Sequence, residues 1–218
     1  MAGPNHTISP VESSDLPFLS KFIHSAKLSL SINRLLYQPW PNHPVQEKQY
    51  TGAVEGAFAD SSMECFKATD VDSNAIIGYI VLARKTATKG DSMAPAQSTD
   101  NGHNVPEGMN PDVLAEVSAA NIAISKATEN IDRYELVYLC VEPSYQRQGV
   151  GSSLLQLGFD RARAQAIPLA TAAEAPAYGF FDKLGFKETR HVDIDLRKYA
   201  PENSGFGIFR LTGIIWKP

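Results

Sequence analysis

The stretch ELVYLCVEPSYQRQGVGSSLL, Glu135 to Leu155, decides how the rest of this chain is read. Its first seven residues, Glu135 to Val141, are almost continuously apolar and β-prone. That is the pattern of a strand covered on both faces in the middle of a sheet. From Ser152 to Ala166, Leu154, Leu155, Phe159, Ala162 and Ala166 recur at helical spacing, with Asp160, Arg161, Arg163 and Gln165 at the intervening positions; this predicts an amphipathic helix. The connection between them puts Gly149 and Gly151 at the helix entrance. Glycine there lets the backbone approach an anion. The free amides that open a helix, aided by its dipole, hold a pyrophosphate without net positive charge from side chains. Arg147 adds one cation. Taken alone, Gly-x-Gly is weak, because two glycines before a helix often form only a tight turn.

The surrounding residues narrow the reading. A P-loop needs Gly-Lys-Ser/Thr, which is absent. A dinucleotide-binding βαβ unit gains some support from Glu174 at the end of the next strand. Its glycines, however, follow their strand almost directly and include a third, whereas here Glu142 to Gln148 intervene and Leu154 occupies the third position. Val141, Pro143, Gln146, Gly149, Gly151 and Leu154-Leu155 instead match the Val-x-Pro strand end and Gln/Arg-x-x-Gly-x-Gly/Ala loop of the GNAT acetyltransferases, which this segment resembles. The resemblance continues through Ala177, Phe181, Lys183, Leu184, Gly185 and Phe186, and so covers about Glu135 to Phe186.

This resemblance implies a mixed α/β (α+β) fold, with a central, mostly antiparallel sheet, two splayed core strands and flanking helices. It implies acetyl-CoA as cosubstrate, with the pyrophosphate on Gln146, Arg147, Gln148, Gly149, Val150, Gly151 and Ser152. The pantetheine arm would pair with the opened strand at Leu139, Cys140 and Val141, and contact Glu174 and Phe181. An amine acceptor, a small molecule or a peptide, would attack the thioester directly, with a backbone amide near Leu139 or Cys140 stabilising the carbonyl oxygen. No acyl-enzyme is required, and Cys140 reads as a structural thiol.

Glu135 begins the core strand fourteen residues before Gly149, which resembles the offset of the base glutamate in the histone acetyltransferase branch. It is the candidate proton acceptor, and a solvated charge at a strand start is the plain alternative. Phe181 departs from the family pattern, where many members carry a tyrosine whose hydroxyl protonates the leaving thiolate. Tyr178, water, or unassisted thiolate departure would have to serve. Glu174 stands where the family often has an asparagine. Glu47, Glu55, Asp60, Asp193 and Asp195 lie in segments where the family builds its acceptor pocket, and they do not identify the amine. A non-catalytic acyl-CoA-binding or regulatory protein of the same fold is the competing reading.

Working outward, 218 residues of ordinary composition suit a single domain spanning 1–218. A formal charge of -4 and a pI near 5.7 argue against a nucleic-acid partner bound by broad phosphate neutralisation. Two cysteines, Cys65 and Cys140, sit in apolar runs, as reduced buried thiols do in a reducing compartment. The N-terminus lacks a basic start and apolar stretch, and no run reaches the roughly 18 apolar residues of a membrane span. A cytoplasmic protein, compatible also with the nucleus and without a membrane partner, is expected. The five histidines are scattered without ligand spacing, so no metal is expected.

Asp15 precedes the helical pattern Leu16 to Leu30 and suits its N-cap. Glu47 to Phe58 and Pro111 to Asn130 read as helices. Glu64 to Thr69 and Ala75 to Ala83 read as strands turned at Asp72-Ser73-Asn74. Pro168 to Ala173 reads as a short strand, Ala175 to Lys183 as a helix stopped by Gly185, and Gly207 to Trp216 as a final strand. Residues 86–111, rich in Gly, Pro, Ser, Asn and Asp, read as a mobile insertion dispensable for the fold.

Overall fold

The computed structural model describes residues 5–88 and 105–218. Along the chain run β1 (His6–Pro10), α1 (Leu16–Lys27), α2 (Ser31–Leu36), α3 (His43–Ala59), β2 (Met63–Asp70), β3 (Ile76–Lys85) and α4 (Pro111–Lys126). There follow β4 (Arg133–Val141), α5 (Val150–Gln165), β5 (Leu169–Glu174), α6 (Ala175–Lys183), β6 (Lys187–Asp195) and β7 (Ile208–Trp216). The strands form one sheet in the order β1-β2-β3-β4-β5-β7-β6. Among the described residues, only the β4–β5 pair is parallel.

The apolar run of β3 explains the layering. From Ile77 to Ala83 it is buried on both faces, with Ile80 and Leu82 against α5 and Tyr79 and Val81 against α1 and α3. Val150, Leu154, Leu155 and Phe159 give α5 its apolar face, which packs on β3, β4 and β5. Gly78 permits that close approach: a Cβ there would lie 2.7 Å from Leu154 Cδ1. Beneath the other end of the sheet, α2 and α4 pack with β6 and β7 through Ile32, Leu35, Val113, Ile124, Ile194 and Leu211.

Two features of β4 position the site. Val81 pairs with Tyr138 but Leu82 with Leu136, so Val137 is the extra residue of a β-bulge. On its other side, β4 pairs with β5 only at Tyr134–Leu169 and Glu135–Ala170. Beyond those pairs the strands separate. The expected splay of the core strands is therefore present, and β4 from Leu139 to Val141 has no ladder partner on the β5 side.

The structure departs from the sequence expectations at several points. Asp15 does not cap α1 with its side chain; its carboxylate accepts from the Glu12 amide at 2.8 Å and pairs with Lys67 at 2.6 Å. A nearby lysine draws the carboxylate away from the helix end. The first helix ends at Lys27, short of Leu30, and a further short helix, α2, follows a turn that Asn33 Nδ2 closes on the Lys27 carbonyl at 2.8 Å. β1 and β6 are additional strands; both lie at edges, where one side carries no ladder and the apolar pattern is weak.

Of the expected insertion at 86–111, residues 89–104 lie outside the described residues, and both flanks are tied down. Ala87 and Thr88 bond to Asp132 and Glu129, Gly108 accepts from the Gln38 amide at 2.9 Å, and Met109 is buried against α2. One methionine in a polar stretch does not show as an anchor in sequence. Both cysteines are unpaired thiols. Among the described residues, no helix is long and apolar enough to cross a membrane, and no cluster of His, Cys, Asp and Glu is arranged to hold a metal.

Candidate active site

Where β4 and β5 part, a cleft of about 650 Å³ opens, walled by Leu139 to Val141, the loop before α5, and the start of α6. The loop's conformation follows from its residues. Arg147 (φ 59°) and Gly149 (φ 93°) both take the left-handed backbone, one to either side of Gln148, and left-handed residues in a loop turn successive amides toward an anion. A Cβ on Gly149 would meet nothing within 4 Å, so that position faces open space. The first backbone bond of α5 runs from the Ser153 amide to the Gly149 carbonyl at 2.9 Å. The amides of Val150, Gly151 and Ser152 consequently have no partner inside the helix. Gln146 braces the loop, its Nε2 donating to the Val141 carbonyl at 3.2 Å, and Gln148 Nε2 donates to the Ser144 carbonyl at 2.6 Å. Val150, expected beside the pyrophosphate, is instead fully buried beneath the loop and does not line the cleft, because its side chain belongs to the apolar face of α5.

Of the residues singled out from sequence, Leu139, Cys140, Val141, Gln146, Arg147, Gly149, Gly151, Ser152, Glu174 and Phe181 line this one cleft. Gln148 serves the loop from behind. Tyr178 is half-buried on the core side of α6, off the cleft wall, because Ala177, Phe180 and Phe181 form the facing stripe and Tyr178 is rotated about 100° from Ala177. Phe181 itself is buried, edge-on to both Phe180 and Phe186.

Glu135 does not reach the cleft. It lines a second, smaller hollow of about 300 Å³ between α4, β4, β5 and β7, where its carboxylate accepts from Arg133 Nη2 at 3.2 Å. Four residues along β4 separate it from Leu139, roughly 13 Å at strand rise. The reason is register: Glu135 stands where β4 and β5 are still paired, before the splay begins. Arg133 is 5 % exposed, and its Nε–H lies among buried groups with no acceptor. Three of the other acidic candidates are held elsewhere. Asp193 forms a two-pronged pair with Arg210 and Asp195 with Arg197, while Asp60 accepts from the Ser62 amide.

The cleft contains one group that sequence reasoning missed. Lys27, the last residue of α1, reaches over β4 to form an ion pair with Glu174, 147 residues away. Burial disfavours the ammonium, but the adjoining carboxylate outweighs it and holds the Lys27 pKa above its ordinary value. Burial likewise pushes the Cys140 thiol up to about 11, so it is protonated at neutral pH and is no nucleophile there. No local pattern in the sequence signals Lys27; only the packing of α1 across the sheet brings it to Glu174.

The donor set suits a pyrophosphate with an extended, amide-bearing arm. Outward amides, an open glycine position and a strand edge without a partner are what such a ligand would satisfy. Residues 113–188 match the family model of the acetyltransferase (GNAT) domain. An N-acetyltransferase of Bacillus pumilus, itself uncharacterised, is 32 % identical over 89 residues, 41 % of this chain and 46 % of that protein, so the chain spans less than half the length of this curated relative. A candidate arylalkylamine N-acetyltransferase of the yellow fever mosquito superposes with a TM-score of 0.65 at 12 % identity, over 97 % of this chain and 87 % of its own. Arabidopsis thaliana NAA60, solved with a bisubstrate analogue, gives a TM-score of 0.53 at 13 % identity, over 98 % of both chains. At those identities the two structures share the fold. The domain match spans the strand, loop and two helices that build the cleft, so this part of the chain, residues 113–188, is similar to the GNAT acetyltransferase domain.

Proposed function

We propose that the protein is an acetyl-CoA-dependent N-acetyltransferase that carries an acetyl group to a primary amine by direct attack in a ternary complex. The observation that carries this reading is the meeting, in one cleft, of the unpartnered amides opening α5 and the unpaired edge of β4. The amides of Gly149, Gly151 and Ser152 would bind the pyrophosphate, with Arg147 adjacent. Leu139 to Val141 would pair with the pantetheine arm and direct a backbone amide at the thioester oxygen. Phe181 and Phe180 would pack against the arm and exclude water.

Glu135 faces the smaller hollow and is bound to Arg133, so the acceptor's proton is assigned to water entering the cleft. No phenol lines the cleft among the described residues. The thiolate therefore leaves unassisted or takes its proton from water, which a thiol pKa of about 8.5 tolerates.

That missing phenol also favours the second reading, a protein that binds acyl-CoA without turning it over. Isothermal titration with acetyl-CoA, followed by thiol release over a panel of alkylamines, arylalkylamines, amino sugars and peptide N-termini, separates the two. Binding with amine-dependent thiol release supports the transferase, and binding without release from any amine supports the sensor. Absence of acetyl-CoA binding would overturn both.

A further inference from the structure

The donor cleft already contains an amine. Among the described residues that line it, Lys27 is the one primary amine, and its Nζ is held beside the Glu174 carboxylate at the mouth of the β4–β5 splay. Its position is built. Lys27 ends α1, and its own carbonyl accepts from Asn33 Nδ2, which fixes the turn into α2. Ser29 and Leu30 continue that turn along the cleft wall, while Cys140 and Tyr138 on β4 complete its surroundings. Both partners of the pair are 26 % exposed, so the ammonium is neither free in solvent nor sealed in the core.

We infer that Lys27 is a site of self-acetylation, modified by the acetyl-CoA bound in its own cleft. The inference rests on the donor site proposed above. Glu174 accepts one proton from the Lys27 ammonium, and the neutral nitrogen attacks the thioester carbonyl carbon. The new C–N bond forms as the C–S bond breaks, with the bonding pair leaving on sulfur. The nitrogen's second proton goes to the thiolate, so the products are an acetamide and free coenzyme A. Glu174 then returns its proton to solvent. The direction of the first step follows from desolvation. A bound donor covers the pair, and in a covered site a neutral amine beside a carboxylic acid costs less than two full charges.

The ion pair holds the ammonium charged while the cleft is open to water, so the reaction waits for the donor. The consequence is a change in the cleft itself. An acetylated Lys27 carries no charge, leaves Glu174 without its cation, and places an extra acetyl group against Cys140, where the incoming amine and the arm must pass.

The test uses the purified full chain. Its intact mass is recorded before and after incubation with acetyl-CoA, and the modified lysine is located by peptide mapping. We expect a gain of one acetyl group, with occupancy at Lys27 about tenfold or more above that of any other lysine. Gly149→Asp, which weakens donor binding, should slow the gain by about the same factor, about 30-fold, at sub-saturating acetyl-CoA, and should lower any occupancy already present in protein as purified. Lys27→Arg keeps a cation beside Glu174, and at an acetyl-CoA concentration that titration shows to be saturating for this variant it should gain no acetyl group. Lys27→Met, uncharged and similar in size, gives the same readout should the arginine variant fail to fold. Acetyl-CoA binding measured by titration, with no selective acetylation of Lys27, overturns this inference and leaves the donor site standing. Equal acetylation of Lys27 in Gly149→Asp would show mere chemical modification and overturn it equally. Loss of donor binding in the native chain would overturn the site and the inference together.

Discussion

Replacing Gly149 by aspartate tests the phosphate loop directly. Gly149 has φ 93°, and the space a Cβ would enter is open, so the new side chain meets no steric barrier and projects into the cleft. Two effects then separate. Any residue with a Cβ in this left-handed conformation costs about 1–2 kcal/mol of stability, which for a chain of this length lowers the melting temperature by roughly 2–8 °C. Gly149→Ala carries this cost alone. The aspartate adds a negative charge some 4–5 Å from the proposed pyrophosphate, and Coulomb's law gives about 1–4 kcal/mol between an effective dielectric of about 20 and that of water. The cleft is open to solvent, so a value near 2 kcal/mol is appropriate, a loss of affinity of about 30-fold. Isothermal titration with acetyl-CoA reads the affinity, and thermal melting reads the strain. The alanine variant should melt early yet bind within about threefold of native, while the aspartate variant melts similarly and binds far more weakly. An unchanged dissociation constant in a folded Gly149→Asp protein would refute the placement of the pyrophosphate.

The other expectations follow from the same geometry. Glu135→Gln should lower stability by about 1 kcal/mol, since the amide still accepts from Arg133 but loses the charge pairing of a partly exposed carboxylate. Its turnover with any accepted amine should stay within a few-fold of native, and a fall of about 100-fold that recovers as pH rises would restore Glu135 as the proton acceptor. Cys140, with its pKa raised to about 11, should alkylate slowly at neutral pH and accelerate about tenfold per pH unit up to that value. A raised thiol pKa favours the protonated fold, so the stability it confers is complete below the unfolded pKa near 8.5 and is lost as pH climbs through about 11. Melting curves of the native chain should show a decline across that window that is smaller in Cys140→Ala. Leu154→Ala empties a fully buried position between α5 and β3 and should cost about 3 kcal/mol, or roughly 10 °C in melting temperature; a shift under 2 °C, about what a sixth of that cost gives, would show that α5 is not held there.

The sequence by itself determined the strand, loop and helix from Glu135 to Leu155, because each is specified locally. A continuous apolar run makes a central strand, two glycines make a loop that approaches an anion, and a helical stripe of leucines makes the layer beneath. Local chemistry also identified Leu139 to Val141 and most of the loop to Ser152 as cleft residues, since a loop that joins strand to helix stays beside both. Roles that depend on contact across the fold were not legible. Glu135 looked like a base from its offset alone, and only the pairing of β4 with β5 shows its carboxylate turned to another hollow. Tyr178 is one residue from the cleft-facing stripe of α6, a difference of angle that requires the docked helix to be seen. Lys27 and Glu174 are 147 residues apart, each an ordinary surface charge in sequence. Their pairing was decided by the packing of α1 across β4 at the point where the sheet opens, because short-range pattern encodes what an element is, whereas the distance between two charges belongs to how those elements are assembled.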